Sequence, residues 1–137
     1  MIEIRVIEAA QTLMLRQRVM WPDKRLEEMK LPEDDEGVHY GLYADGELVS
    51  VISLFFTGTE VQFRKFATST ERQRSGYGGR LLQHVMREAA RRGCRCIWCN
   101  ARANKVDFYK KFGMCEEGGY LEKEGRRYIK MTKIIAG

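Results

Sequence analysis

The sequence predicts one α/β domain spanning residues 1–137, of the α+β kind: a mixed, mostly antiparallel sheet of about seven strands with about four helices on its faces. Three observations carry this. Apolar periodicity changes along the chain in the order strand, helix, helix, three strands, helix, strand, helix, two strands. Asp45-Gly46 between two alternating runs is a two-residue hairpin signal. A glycine-rich turn, Gln73-Arg74-Ser75-Gly76-Tyr77-Gly78-Gly79, joins a strand-like run directly to an amphipathic helix. A chain of 137 residues buries enough apolar surface for one core without disulfides.

Ile2-Glu3-Ile4-Arg5-Val6 alternates as the first strand, and Ala9 to Met20 reads as a helix that Trp21-Pro22 ends. A second short helix is expected from Pro22 to Lys30, before the acidic run Glu33-Asp34-Asp35-Glu36. Val38 to Ala44 and Leu48 to Phe56 form the hairpin, and Thr57-Gly58-Thr59 turns into a strand over Val61 to Thr68. In the helix after the glycine turn, Leu81, Leu82, Val85, Met86, Ala89 and Ala90 share a stripe, with arginines on the other face and Gly93 as the stop. Cys94 to Cys99 reads as a strand, residues 104 to 112 as a short helix, and the last two strands turn at Glu122-Lys123-Glu124-Gly125.

The charge is unevenly placed. Residues 1–60 hold 6 Lys or Arg against 12 Asp or Glu, a net of −6, and residues 61–137 hold 18 against 7, a net of +11. A basic half containing the glycine turn suits a polyphosphate, and an acidic half suits a cationic amine. Cys94 and Cys96 are expected on one strand face and Cys99 on the other. With no paired Cys-x-x-Cys, the four cysteines read as reduced structural thiols and no metal site. The longest apolar run, near Val51 to Phe56, is too short to span a bilayer, and no leader pattern stands at the start, so a cytoplasmic protein is expected.

The glycine turn is the candidate anion site. Glycines let a ligand reach the backbone, while the following helix points unpaired N–H groups and its positive dipole end at the same place. A Walker loop is excluded because Gly79 is followed by Arg80-Leu81, and a dinucleotide fingerprint because the spacing is Gly-x-Gly-Gly with no carboxylate near position 96.

Gln73-x-x-Gly76-x-Gly78, with Asn104 and then Tyr109-Lys110-Lys111-Phe112-Gly113-Met114 downstream, resembles the GCN5-related N-acetyltransferases. Met114 stands where that family usually has Phe. The resemblance implies the family's acyl-CoA N-acyltransferase fold and transfer of an acetyl group from acetyl-CoA to a primary amine of a small molecule or peptide. It implies pyrophosphate held by the amides of Gln73, Arg74, Ser75, Gly76, Tyr77, Gly78 and Gly79, a pantetheine arm along Phe66, Ala67 and Thr68, and a contact from Asn104. It also implies Tyr109 as proton donor to the leaving thiolate. Family members often pair as homodimers, and no membrane or nucleic-acid partner is implied. Read without the resemblance, Tyr109 packs with Phe108 and Phe112 as core, and Asn104 caps the short helix with Asp107 in a box-like relation. Glu60, Glu71, Asp34, Asp35 and His39 are base candidates. Arg16, Arg18 and Trp21, beside the acidic loop, are expected to wall the acceptor pocket, where the acidic run favours an amine and the arginines could equally orient a substrate carboxylate. Two rival readings are a basic nucleic-acid-binding module, from Arg91-Arg92 and Arg126-Arg127, and a non-catalytic acetyl-CoA sensor.

Overall fold

In a computed structural model that describes residues 1–136, alternation of apolar residues builds seven strands. They are β1 (Ile2–Ile7), β2 (Val38–Ala44), β3 (Glu47–Thr57), β4 (Glu60–Thr68), β5 (Cys96–Arg102), β6 (Cys115–Lys123) and β7 (Arg126–Ile134). They form one sheet in the order β1-β2-β3-β4-β5-β7-β6, with β4 and β5 parallel and β1–β2, β2–β3, β5–β7 and β6–β7 antiparallel. This is the expected mixed, mostly antiparallel sheet.

The described chain clusters into two compact units. The first comprises Met1–Phe55 with Phe63–Val85, and the second Phe56–Gln62 with the chain from Met86 onward. In the first, Leu42, Val49, Val51, Ile52 and Leu54 of the β2–β3 hairpin are fully buried, as are Leu81, Leu82 and Val85. Asp45 and Gly46 both take positive φ, 51° and 86°, the conformation of a two-residue turn whose twist matches its strands. In the second unit Ile97, Cys99 and Ala101 alternate inward from β5, with Ile129 and Met131 buried on β7.

Three α-helices form where about four are expected: α1 (Leu13–Leu15), α2 (Tyr77–Arg91) and α3 (Val106–Lys110). Residues 9–20 do turn helically, but as a 3-10 turn (Ala9–Thr12), the single α turn of α1, and a π turn (Arg16–Met20). The widening begins at Arg16, whose side chain is drawn wholly inside to polar partners; such tertiary bonds override a regular ladder. The helix expected over Pro22–Lys30 shrinks to a 3-10 turn at Leu26–Met29, since so short a segment cannot repay helix nucleation alone.

Gly93 ends α2 as expected, with φ +92°, while the Gly93 N–H reaches Ala90 O and the Cys94 N–H reaches Ala89 O, both at 3.0 Å. That cap keeps Cys94 out of the strand, so the expected face-sharing of Cys94 and Cys96 fails. Cys94 is buried before β5, Cys96 is half-buried, and Cys99 faces the core. All four cysteines are free thiols. Among the described residues no group of three or more His, Cys, Asp or Glu is placed to hold a metal, and no helix is long and apolar enough to cross a membrane.

Candidate functional site

The glycine turn lies in the first unit, and its backbone has the shape an anion needs. Arg74 and Gly76 take positive φ, 72° and 81°, and Gly76 O accepts the first bond of α2 from the Arg80 N–H at 3.0 Å. Among the described residues, no backbone carbonyl accepts from the N–H groups of Arg74 through Gly79, so these amides stand at the positive end of a four-turn helix.

Each glycine has its own task. A Cβ at Gly76 would meet nothing within 4 Å, so the residue is there for its left-handed backbone and its open approach. A Cβ at Gly78 would sit 2.9 Å from Thr68 Oγ1 and 3.3 Å from Phe66 Cζ, so this glycine lets α2 start close against the end of β4. Gly79 is buried, whereas Gln73, Arg74 and Ser75 are exposed. The Gln73 side chain is already used, donating from Nε2 to Thr68 O at 3.0 Å and tying the turn to the strand.

The strand end that the turn closes on is itself irregular. Lys65 takes φ +54°, a bulge-like kink within β4, so Phe66 and Thr68 are half-buried while Ala67 is buried. Thr68 Oγ1 shares a hydrogen bond with Ser50 Oγ at 2.8 Å, and the Ser69 N–H donates to Val49 O at 2.7 Å. The kink was missed in the sequence although a signal exists: Val61, Phe63 and Ala67 keep core parity, and a lysine at position 65 breaks it.

Tyr109 lies in the second unit, on α3, buried edge-on against Phe108 at 5.3 Å between ring centroids. Burial pushes its phenol well above the ordinary tyrosine range, the neighbouring Cys99 adds to this, and Arg102 opposes it. The Cys99 thiol is itself pushed up to about 12 by burial. Tyr109 is therefore a neutral hydroxyl at physiological pH and holds its proton. Asn104 does not cap α3. It is exposed within a 3-10 turn, Ala103–Lys105; the N-cap of α3 is Lys105, and no side chain caps it.

The acceptor-wall and base expectations change most. Arg16 is fully buried and bidentate to Asp34, at 2.8 and 3.0 Å, and it also donates to Met29 O and Ser53 Oγ, each at 3.0 Å. His39 is buried in the same network, with Nδ1 2.7 Å from Ser53 Oγ and Nε2 2.9 Å from Asp34 O. Burial alone would raise the Asp34 carboxyl, but hydrogen bonds from Arg16 and the Leu31 N–H, with the charges of Arg16 and His39, hold it below its ordinary value. Arg16 is thus a buried counter-ion and no wall residue, and Asp34 and His39 are committed to it. Arg18, Asp35, Glu60 and Glu71 are exposed, and Trp21 packs under the Lys24 ammonium at 4.1 Å. A cleft of about 370 Å³, lined by Ala9, Leu13, Lys30, Leu31, Asp34 and Asp35, opens beside this network.

A mixed sheet with a glycine turn feeding its longest helix is an α/β architecture whose helix start is shaped to receive an anion. The chain belongs to the acetyltransferase (GNAT) family, whose model matches residues 6–114. It is 29% identical to the uncharacterized N-acetyltransferase YitI of Bacillus subtilis (strain 168), over 98% of this chain and 97% of YitI. Among solved structures, the ribosomal-protein-S18-alanine N-acetyltransferase of Escherichia coli superposes with a TM-score of 0.84 at 20% identity, covering 100% of this chain and 96% of that one. A GNAT family acetyltransferase of Elizabethkingia anophelis with acetyl-CoA bound superposes with a TM-score of 0.77 at 18% identity, covering 97% of each chain. The family makes the chain an acyltransferase enzyme.

Proposed function

We propose that this acetyltransferase moves an acetyl group from acetyl-CoA to a primary amine of a small-molecule or peptide acceptor, by direct attack in a ternary complex in the cytoplasm. The observation that carries the reading is the row of amides from Arg74 to Gly79, without backbone acceptors among the described residues, at the start of α2. Open space around Gly76 fits a pyrophosphate there, and the co-substrate named with the Elizabethkingia structure supplies one.

Acetyl-CoA brings the activated thioester. In this reading the amides of the turn bind its pyrophosphate, and the exposed guanidiniums of Arg74 and Arg80 add charge. Phe66, Ala67 and Thr68 line the arm, Asn104 makes a polar contact to it, and a backbone N–H of that strand end takes the negative charge that develops on the thioester oxygen. Tyr109 gives its proton to the departing thiolate. Its raised pKa does not disqualify it: a thiolate released into the same apolar surroundings is raised by the same desolvation, so donor and acceptor stay matched.

Calorimetric titration of acetyl-CoA tests the cofactor assignment. Micromolar binding is expected in the native chain and lost in Gly76→Glu, which puts a carboxylate and a side chain into the open space. Binding undiminished in that variant would remove the turn from the site. Single-turnover acetylation of an amine panel separates a catalyst from a sensor that only binds.

A further inference from the structure

In the second unit, the turn that ends α3 is closed by a lysine from β7. Ile129, Met131 and Lys133 share one face of that strand by alternation, and the first two are buried, so Lys133 continues an inward row and is itself half-buried. An ammonium set there needs an acceptor. It donates to Phe112 O at 2.8 Å, with Met86 Sδ at 4.0 Å. The backbone of Lys133 is fixed in turn by its pairing with Ile97 of β5, a fully buried residue.

With five residues, α3 is too short to persist alone, so its orientation depends on how its end is fastened. Gly113 takes φ +87°, the Met114 N–H reaches Tyr109 O at 3.2 Å, and the Gly113 N–H reaches Lys110 O at 3.0 Å, the paired bonds of a left-handed glycine cap. Tyr109 O accepts from the Phe112 N–H as well, at 3.0 Å, so the backbone of Tyr109 is part of the cap. That bonding pattern provides no donor for Phe112 O; Lys133 supplies one, and places a positive charge at the negative end of the helix. A Cβ at Gly113 would sit 3.1 Å from both Cε and Nζ of Lys133, so the glycine also leaves room for the lysine to cross.

We propose that Lys133 is a positioning residue for acetyl transfer: by donating to Phe112 O it locks the end of α3 onto β7 and so fixes where the Tyr109 hydroxyl stands when it protonates the departing thiolate. This rests on the acetyl-transfer reading above and on the part Tyr109 plays in it. Lys133 touches neither the thioester nor the amine in this role. It acts through Tyr109 alone.

The test follows thiol release from acetyl-CoA with spermidine, tyramine and a peptide beginning with alanine as acceptors. Independently of any acceptor, it follows the NMR signal of Tyr109 in protein carrying tyrosine labelled with carbon-13 at Cζ, identified by its loss in Tyr109→Phe. Lys133→Met keeps an apolar stem and removes the donor. It should lower kcat roughly ten- to a hundredfold with KM for acetyl-CoA unchanged, and broaden or double the Tyr109 signal. Lys133→Arg, which still donates, should restore most of the rate. Lys130→Met, on the same strand but spent on Glu117 at 3.3 Å and the Trp98 ring at 4.7 Å, should change neither readout. In a Tyr109→Phe background Lys133→Met should cost nothing further in kcat, because no hydroxyl is left to place; a role in stability alone would lower Tm and leave the Tyr109 signal as it was. A native kcat with a sharp, unshifted Tyr109 signal in Lys133→Met, or losses that multiply in the double variant, overturns the proposal. If none of the three acceptors is acetylated, the Tyr109 signal decides, broadening in support and an unchanged signal against. A native rate in Tyr109→Phe would instead strike the underlying role of Tyr109, and the proposal with it.

Discussion

The Arg16–Asp34 pair makes the sharpest stability prediction. Asp34→Ala removes two hydrogen bonds to Arg16, at 2.8 and 3.0 Å, and the acceptor of the Leu31 N–H at 3.0 Å, leaving a fully buried guanidinium without its counter-ion. Breaking a buried pair from one side costs about 3–5 kcal/mol, a large fraction of the 5–15 kcal/mol that holds a domain folded. With an unfolding entropy of roughly 2.1 cal/mol/K per residue, that loss lowers Tm by roughly 10–17 °C in a chain of this length. Urea titration and calorimetry measure it directly. Replacing both partners, Arg16→Met with Asp34→Leu, should recover most of the loss because the stranded charge is gone. The pH dependence has a definite sign. Asp34 is depressed in the folded state, so its contribution is full above the ordinary aspartate value near ~4 and is lost as pH falls through the lower folded value. A loss below 1 kcal/mol in Asp34→Ala, or a double variant as unstable as the single one, refutes the reasoning.

Tyr109→Phe should lower kcat by about 10²–10⁴ while leaving acetyl-CoA affinity and the fold intact; a native rate would return Tyr109 to a packing role. Gly78→Ala should cost about 1–3 kcal/mol by pressing on Thr68 and Phe66, and much of that should vanish in a Thr68→Ala background; an additive double mutant would show that the crowding lies elsewhere. Cys115, exposed on β6, should react first with iodoacetamide, while Cys94 and Cys99, buried and with raised thiol values, should react only on unfolding; mass spectrometry of partially labelled native protein decides this.

The elements legible in the sequence were those specified locally. Asp45-Gly46 demanded its hairpin turn, the leucine and alanine stripe fixed α2, and Gly93 ended it, because backbone conformation and one-sided burial at these points need only neighbours in sequence. The glycine turn was legible for the same reason, down to Gly76. What only the tertiary structure decided involves partners far apart in the chain. Arg16 reaches Asp34 and Ser53 across 18 and 37 residues, and this buried polar cluster, not helix propensity, sets the shape of residues 9–20. Gly78 is required by Phe66 and Thr68, which nothing in the turn itself reveals. Arg102 and Arg126 look like ordinary surface charge in the sequence, and only the register of β5 on β7 brings them to one face, because strand pairing is a long-range event whose parity decides which side chains meet.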